Sequence, residues 1–107
     1  MKKLVEDHCR GATDTRREYL EQRIDRVLGP HAAFVTAVRL ETKPVMVEDE
    51  ERQEVTIECE IIGGPPIKIS FVRRSLALAL ASAFEGAAYR LSMFKRPKGS
   101  ADTTAVL

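Results

Sequence analysis

Three arginines, Arg16, Arg23 and Arg26, recur within a segment whose apolar residues Leu20, Ile24, Val27 and Leu28 share one helical face. With Arg16 set at zero and about 100° per residue, that apolar face spans about 20° to 120°. Arg16, Tyr19, Arg23 and Arg26 then fall between about 280° and 360°, and Glu18, Glu21 and Asp25 near about 140° to 200°. The bases line one flank of the buried stripe and the acids the other, whereas a helix built only for solubility mixes signs at i,i+4. Arg90 lies on a flank of a second apolar stripe, followed by Lys95, Arg96 and Lys98, and Arg73 and Arg74 stand just before that segment. Guanidinium groups on a rigid scaffold suit phosphate, because the planar fork can donate two parallel hydrogen bonds. The competing reading is a solvated basic flank with no ligand. Because the three α-helical arginines lie off the apolar stripe, their replacement is expected to leave stability nearly unchanged.

Other chemistry has little support. The metal-ligand types other than carboxylates are His8, Cys9, His31 and Cys59. His8 and Cys9 are adjacent, so on a strand they point to opposite faces, and no spacing resembles a zinc site. A Cys–His nucleophile pair needs an orienting group and an oxyanion hole, which nothing local supplies. Gly63-Gly64-Pro65-Pro66 precedes a strand and not a helix N-terminus, so it reads as a turn and not a phosphate cradle. Glu54, Glu58 and Glu60 alternate as on a solvated sheet surface. The expectation is no catalytic residue, no metal, no cofactor and no small-molecule substrate.

A chain of 107 residues is one domain, large enough for a single core. The 44% hydrophobic and 31% charged content excludes wholesale disorder. No apolar run reaches the roughly 20 residues of a membrane helix. The N-terminus reaches Glu6, Asp7 and His8 too soon for a secretory signal, so a cytoplasmic location and two reduced cysteines are expected. Net charge is +1, but residues Glu48 to Glu60 hold seven acids and one base, Arg52. The remainder holds 16 bases and nine acids, a net of +7, which keeps a nucleic-acid partner in view.

The elements that must position these residues follow from pattern. Residues 3–10 read as a short strand and Gly11 to Asp14 as a turn. Thr15-Arg16-Arg17-Glu18 fits a capping box opening a helix that Gly29-Pro30 stops, the glycine taking a left-handed end. Phe34 to Leu40 reads as a strand and the polar, proline-containing Thr42 to Glu51 as a loop. Arg52 to Ile62 alternates strictly, with Val55, Ile57, Cys59 and Ile61 on one face. After a turn, Ile67 to Val72 makes a hairpin with it. Ser75 caps a helix to about Phe94, with Leu76, Leu80, Ala83, Phe84, Ala87, Leu91 and Phe94 on one stripe. Pro97 and Gly99 end it.

The order β-α-β-β-β-α with one apolar face per element predicts an α+β two-layer sandwich. A four-stranded sheet carries both helices on one face, like a double-stranded-RNA-binding domain in outline. Residues 1–97 form the domain and 98–107 a flexible tail. Leu20, Ile24, Val55, Ile57, Leu80, Ala83 and Leu91 are expected to be buried, and Cys59 to be a buried thiol.

The chain resembles the ribosome hibernation-promoting factors, or sigma-54 modulation proteins, in a short form. The resemblance covers roughly residues 4–96. It rests on HCRGATDT leading into REYLEQRIDRVLG, on the hairpin VTIECEIIGGPPIKI, and on SLALALASAFEGAAYRL, where Leu76, Ala79, Leu80 and Ala83 precede the acid Glu85. It implies the same β-α-β-β-β-α fold and a non-enzymatic, stress-related regulator of translation. Such a factor binds the RNA of the small ribosomal subunit near the decoding region. Carried over, the RNA-binding residues are Arg16, Arg23 and Arg26 on the first helix and Arg90 and Lys95 on the second. Gly86 falls where the family commonly has a base. The expected partner is the small ribosomal subunit, with no membrane and at most a weak homodimer. The alternative is a protein–protein interaction module on the same fold, without ribosome binding.

Overall fold

The computed structural model describes the backbone of residues 1–105 and the side-chain surroundings of residues 1–93. The chain forms β1 (Lys2–Asp7), α1 (Asp14–Leu28), a 3-10 turn (Gly29–His31), β2 (Val35–Val47), β3 (Glu50–Ile61), β4 (Ile67–Arg73) and α2 (Leu76–Ala105). The four strands make one sheet in the order β1-β2-β3-β4. β1 runs parallel to β2 across the α1 crossover, and the other two pairs are antiparallel.

One core joins the layers. Leu20, Ile24 and Leu28 of α1 and Leu80, Ala83, Phe84 and Leu91 of α2 cluster with Val38, Leu40, Val55, Ile57 and Cys59 of the sheet. Both helices therefore cover one sheet face, the expected α+β sandwich, and all seven residues expected to be buried are so. Cys59 is a free, fully buried thiol, its pKa pushed up to about 11 by desolvation and then by the nearby Glu58 carboxylate. Gly86 is the place where α2 lies against β4: a Cβ there would meet Phe71 Cε2 at 3.0 Å and Ile69 Cγ2 at 3.3 Å. A base at this position would point into the sheet.

The structure corrects several local expectations. The segment Thr42 to Glu51 is no loop. β2 and β3 continue in register from Thr42↔Val55 to Val47↔Glu50, past the last pairs with β1 (Asp7↔Thr42) and β4 (Gln53↔Arg73). Residues 43–52 thus project as a two-stranded ribbon. Its turn residues Glu48 (φ 51°) and Asp49 (φ 65°) are both left-handed, as a two-residue type I′ hairpin turn requires. Neither is the glycine or asparagine that normally marks such a turn, which hid it in the sequence. Pro44 is tolerated because of its parity. Thr42 directs its carbonyl to β1, accepting from His8 N at 2.9 Å, so Pro44, two residues on, turns its missing N–H to the edge that β1 has vacated.

At α1 the cap is Thr13, whose side chain accepts from Arg16 N at 3.1 Å, and not Thr15. Gly29 keeps right-handed geometry (φ −54°), and the chain tightens into the 3-10 turn instead of reversing through a left-handed cap. β1 ends at Asp7, short of residue 10. Ser75 caps α2 as expected, its Oγ accepting from Leu78 N at 3.2 Å. The α2 backbone continues to Ala105, past Pro97 and Gly99. An interior proline costs about 3 kcal/mol, through a lost ladder bond and a clash with the carbonyl four residues back, and a glycine about 1 kcal/mol; each weakens or bends a helix without by itself obliging it to stop. The side chains of Phe94 and Lys95, and those of the tail expected over 98–107, lie outside the described ones.

Candidate nucleic-acid interface

The open sheet face is the first surface to test for phosphate binding, since Arg39, Lys43 and Lys68 stand on it. Cross-strand register sets each opposite an acid: Arg39 against Glu58, Lys43 against Glu54, Lys68 against Glu58. Arg39 also donates Nε (2.9 Å) and Nη2 (2.7 Å) to Glu6 Oε1, and Lys43 Nζ lies 3.7 Å from Glu54. The face is a neutralised lattice of opposite charges, stabilised by pairing and unsuited to a polyanion.

The helical layer differs. Its arginine flank divides into three environments. Arg16, placed by the first turn of α1, reaches over the end of β1. Its Nε donates to Asp7 Oδ2 at 2.6 Å, Nη2 to Asp7 Oδ1 at 2.8 Å and to Cys9 O at 3.2 Å, and Nη1 to Arg10 O at 2.8 Å. Asp7 shares the inward parity of Val5, and its side chain is only 6% exposed. The Thr42 hydroxyl donates to it at 2.7 Å and the Cys9 amide at 3.2 Å. Burial pushes the Asp7 carboxyl up. The hydrogen bonds from Arg16, Thr42 and Cys9 and the Arg16 charge outweigh that and leave it below its ordinary value. Arg16 itself is held charged by Asp7. Gly11 makes the turn between them: its φ is +80°, and a Cβ would come within 3.2 Å of Arg16 Nη1. The HCRGATDT segment is therefore the socket for Arg16. The fork of Arg16 is engaged within the fold, so the expectation that its replacement leaves stability nearly unchanged is corrected.

Arg23 lies over the Phe84 ring, Cζ 4.9 Å from the centroid, and so lines the groove between α1 and α2. Arg26 is exposed, one turn further along the flank, with no acidic partner among the described residues. The acid flank lies on the other side of α1, where Asp25 accepts from Lys3 Nζ of β1 at 2.6 Å. Arg90 is exposed and four residues beyond Gly86, hence on the β4 side of α2, whereas Phe84 meets Arg23 on the α1 side. The structure thus brings Arg23 and Arg26 together and places Arg90 across α2 from them. Lys95 falls in helical backbone, its side chain outside the described ones.

Two further bases lie outside the five carried over as RNA-binding: Arg10, on the β1–α1 turn, and Arg74, which the sequence places just before the second helix and the structure before the α2 cap. Both are exposed. Neither belongs to a helical stripe, so periodicity gives no signal for them; only the tertiary fold brings them near each other. Among the described residues no group of His, Cys, Asp and Glu could hold a metal ion, and no helix is long and apolar enough to cross a membrane.

No family model and no curated protein sequence matches the chain. Among solved structures it is similar to the crystal structure of the Thermus thermophilus Protein Y N-terminal domain. The TM-score is 0.62, with 18% sequence identity, over 88% of this chain and 99% of that one. The likeness is one of fold: the whole of that domain is matched by the β-α-β-β-β-α sandwich described above.

Proposed function

We propose that this chain is a cytoplasmic, non-enzymatic factor of the ribosome hibernation type, which binds small-subunit RNA near the decoding region and restrains translation. The observation that carries the reading is the unequal treatment of bases by the two faces of the molecule. Arg23, Arg26 and Arg90 on the helical layer have no acidic partner among the described residues, while on the sheet face Arg39 and Lys43 are ion-paired and Lys68 stands opposite Glu58 among a surplus of carboxylates. The shared fold with the Protein Y N-terminal domain, together with the sequence resemblance, supports the choice of partner. In this reading Arg23 and Arg26 contact RNA phosphates from the interhelical groove, Arg90 adds a contact from the other side of α2, and Lys95 is kept as the resemblance implies it. Arg16 sets the tilt of α1 on the sheet through Asp7, so that the later arginines are presented.

The experiment is ribosome pelleting at several salt concentrations. Replacing Arg23 and Arg26 with glutamine weakens association and lowers the salt slope by about 0.7–0.9 for each phosphate that is no longer neutralised. Replacing Glu18 and Glu21 with glutamine leaves association intact or strengthens it. An arginine double variant that pellets like the parent at every salt removes this mechanism. The protein-binding alternative is favoured by the projecting ribbon, where Met46 is 66% and Val47 43% exposed. A parent chain that does not pellet with ribosomes at all turns the reading to that alternative.

A further inference from the structure

We propose a second, separate anion site: a pocket for a single phosphate group between the β1–α1 turn, the base of the β2–β3 ribbon and the start of α2. A cavity of about 230 Å³ there is lined by Arg10, Arg16 and Arg74, with Cys9, Gln53 and Glu51 among its other walls. Arg16 is already neutralised by Asp7, so Arg10 and Arg74 against the Glu51 carboxylate leave the pocket with one positive charge in excess. Arg16 is the fixed member, its orientation set by Asp7 and by two backbone carbonyls. Arg74 has no partner among the described residues, and Arg10 is 90% exposed on a turn.

Glu51 already stands where an anion would be held. Its Oε1 lies 3.5 Å from Arg10 Nη2 and its Oε2 accepts from Gln53 Nε2 at 3.3 Å. These contacts are long against the about 2.7–2.9 Å of a firm charge-assisted bond, so they are weak and open to exchange. A phosphate carries more charge and more acceptor oxygens than a carboxylate and can engage Arg10 and Arg74 together. Glu51 is thus an internal competitor at the mouth, and through it the acidic ribbon sets how readily the pocket fills. The ligand chemistry is one phosphate group, either free in solution or within an RNA chain. The site is distinct from the groove of Arg23 and Arg26 and does not depend on it.

Two probes separate the sources: inorganic phosphate, and a short oligoribonucleotide lacking a terminal phosphate. Each is titrated while the amide resonances of Arg74 and Leu76 are followed by NMR. Saturable shifts with inorganic phosphate identify a free phosphoanion as the ligand, and saturable shifts with the oligonucleotide alone identify a chain phosphate. In either case Arg10→Gln with Arg74→Gln abolishes the shifts, and Glu51→Gln tightens binding by up to about fivefold. Arg10 and Arg74 are exposed, so the double variant keeps its fold, which a thermal melt checks. No saturable shift with either probe, unchanged binding in the double variant, or no gain in Glu51→Gln overturns the proposal. Ribosome pelleting of the Arg23 and Arg26 variant is unaffected by that outcome, so the two readings fail separately.

Discussion

The first turn of α1 and its last two turns carry the same residue type on the same flank, yet the fold uses them differently. Arg16 is clamped by a nearly buried Asp7 and two backbone carbonyls. Arg23 rests on an aromatic ring, and Arg26 stands in solvent. A helical wheel places all three within one arc and cannot tell them apart, because the difference lies in what the neighbouring strand supplies. β1 ends beneath the first turn and offers a carboxylate of inward parity. Beyond it, α1 passes over the apolar interior and α2. An arginine that holds a fold together and an arginine free to meet a ligand are distinguished by the partner, not by the periodicity.

The largest effect that would break this comparison is at Arg16. Arg16→Ala leaves the Asp7 carboxylate buried and without its ionic partner, a loss of about 2–3 kcal/mol in unfolding free energy by denaturant titration. A loss no greater than that of Arg26→Ala would show the two to be equivalent after all. The same clamp sets an acid limb. Asp7 titrates below its ordinary value when folded, so its contribution is complete at neutral pH. That contribution is lost as pH falls below about 4 through the lower folded value. Asp7→Asn is less stable than the parent at neutral pH, and its melting temperature falls less steeply between about pH 5 and 2. An acid limb as steep as the parent's would assign the pH dependence elsewhere.

Position 86 sharpens the comparison on the second helix. Gly86→Lys puts a base where the sequence resemblance leads one to expect it, but the side chain meets Phe71 and Ile69. The helix-propensity gain offsets part of the overpacking, leaving a net loss of about 1–2 kcal/mol and no gain in ribosome pelleting. Arg90, one turn on, clears the sheet, and Arg90→Gln is neutral for stability. The smallest effects belong to the groove. Arg23→Gln loses about 0.5–1 kcal/mol with its packing on Phe84, and Arg26→Gln changes stability by less than about 0.5 kcal/mol. Thermal melts on the two single variants rank them, and the reverse order would place Arg26, not Arg23, against α2.

The sequence by itself determined the layer order and the core. Leu20, Ile24 and Leu28, the alternation from Val55 to Ile61, and the stripe through Leu80, Ala83 and Leu91 each leave one apolar face, and only one packing buries them all. It also determined the separation of bases and acids on α1, because that follows from spacing alone. It did not disclose the ribbon at 43–52. Its turn uses Glu48 and Asp49 in a backbone region that costs most residues energy, and Pro44 reads as a breaker until the vacated edge beside β2 is seen. Nor did it disclose the Asp7–Arg16 clamp, the cover of β4 over Gly86, or the approach of Arg10 and Arg74. Each of these depends on which strand lies beneath a given helical turn, a long-range choice made by burial of the core as a whole and carried by no local pattern of residues.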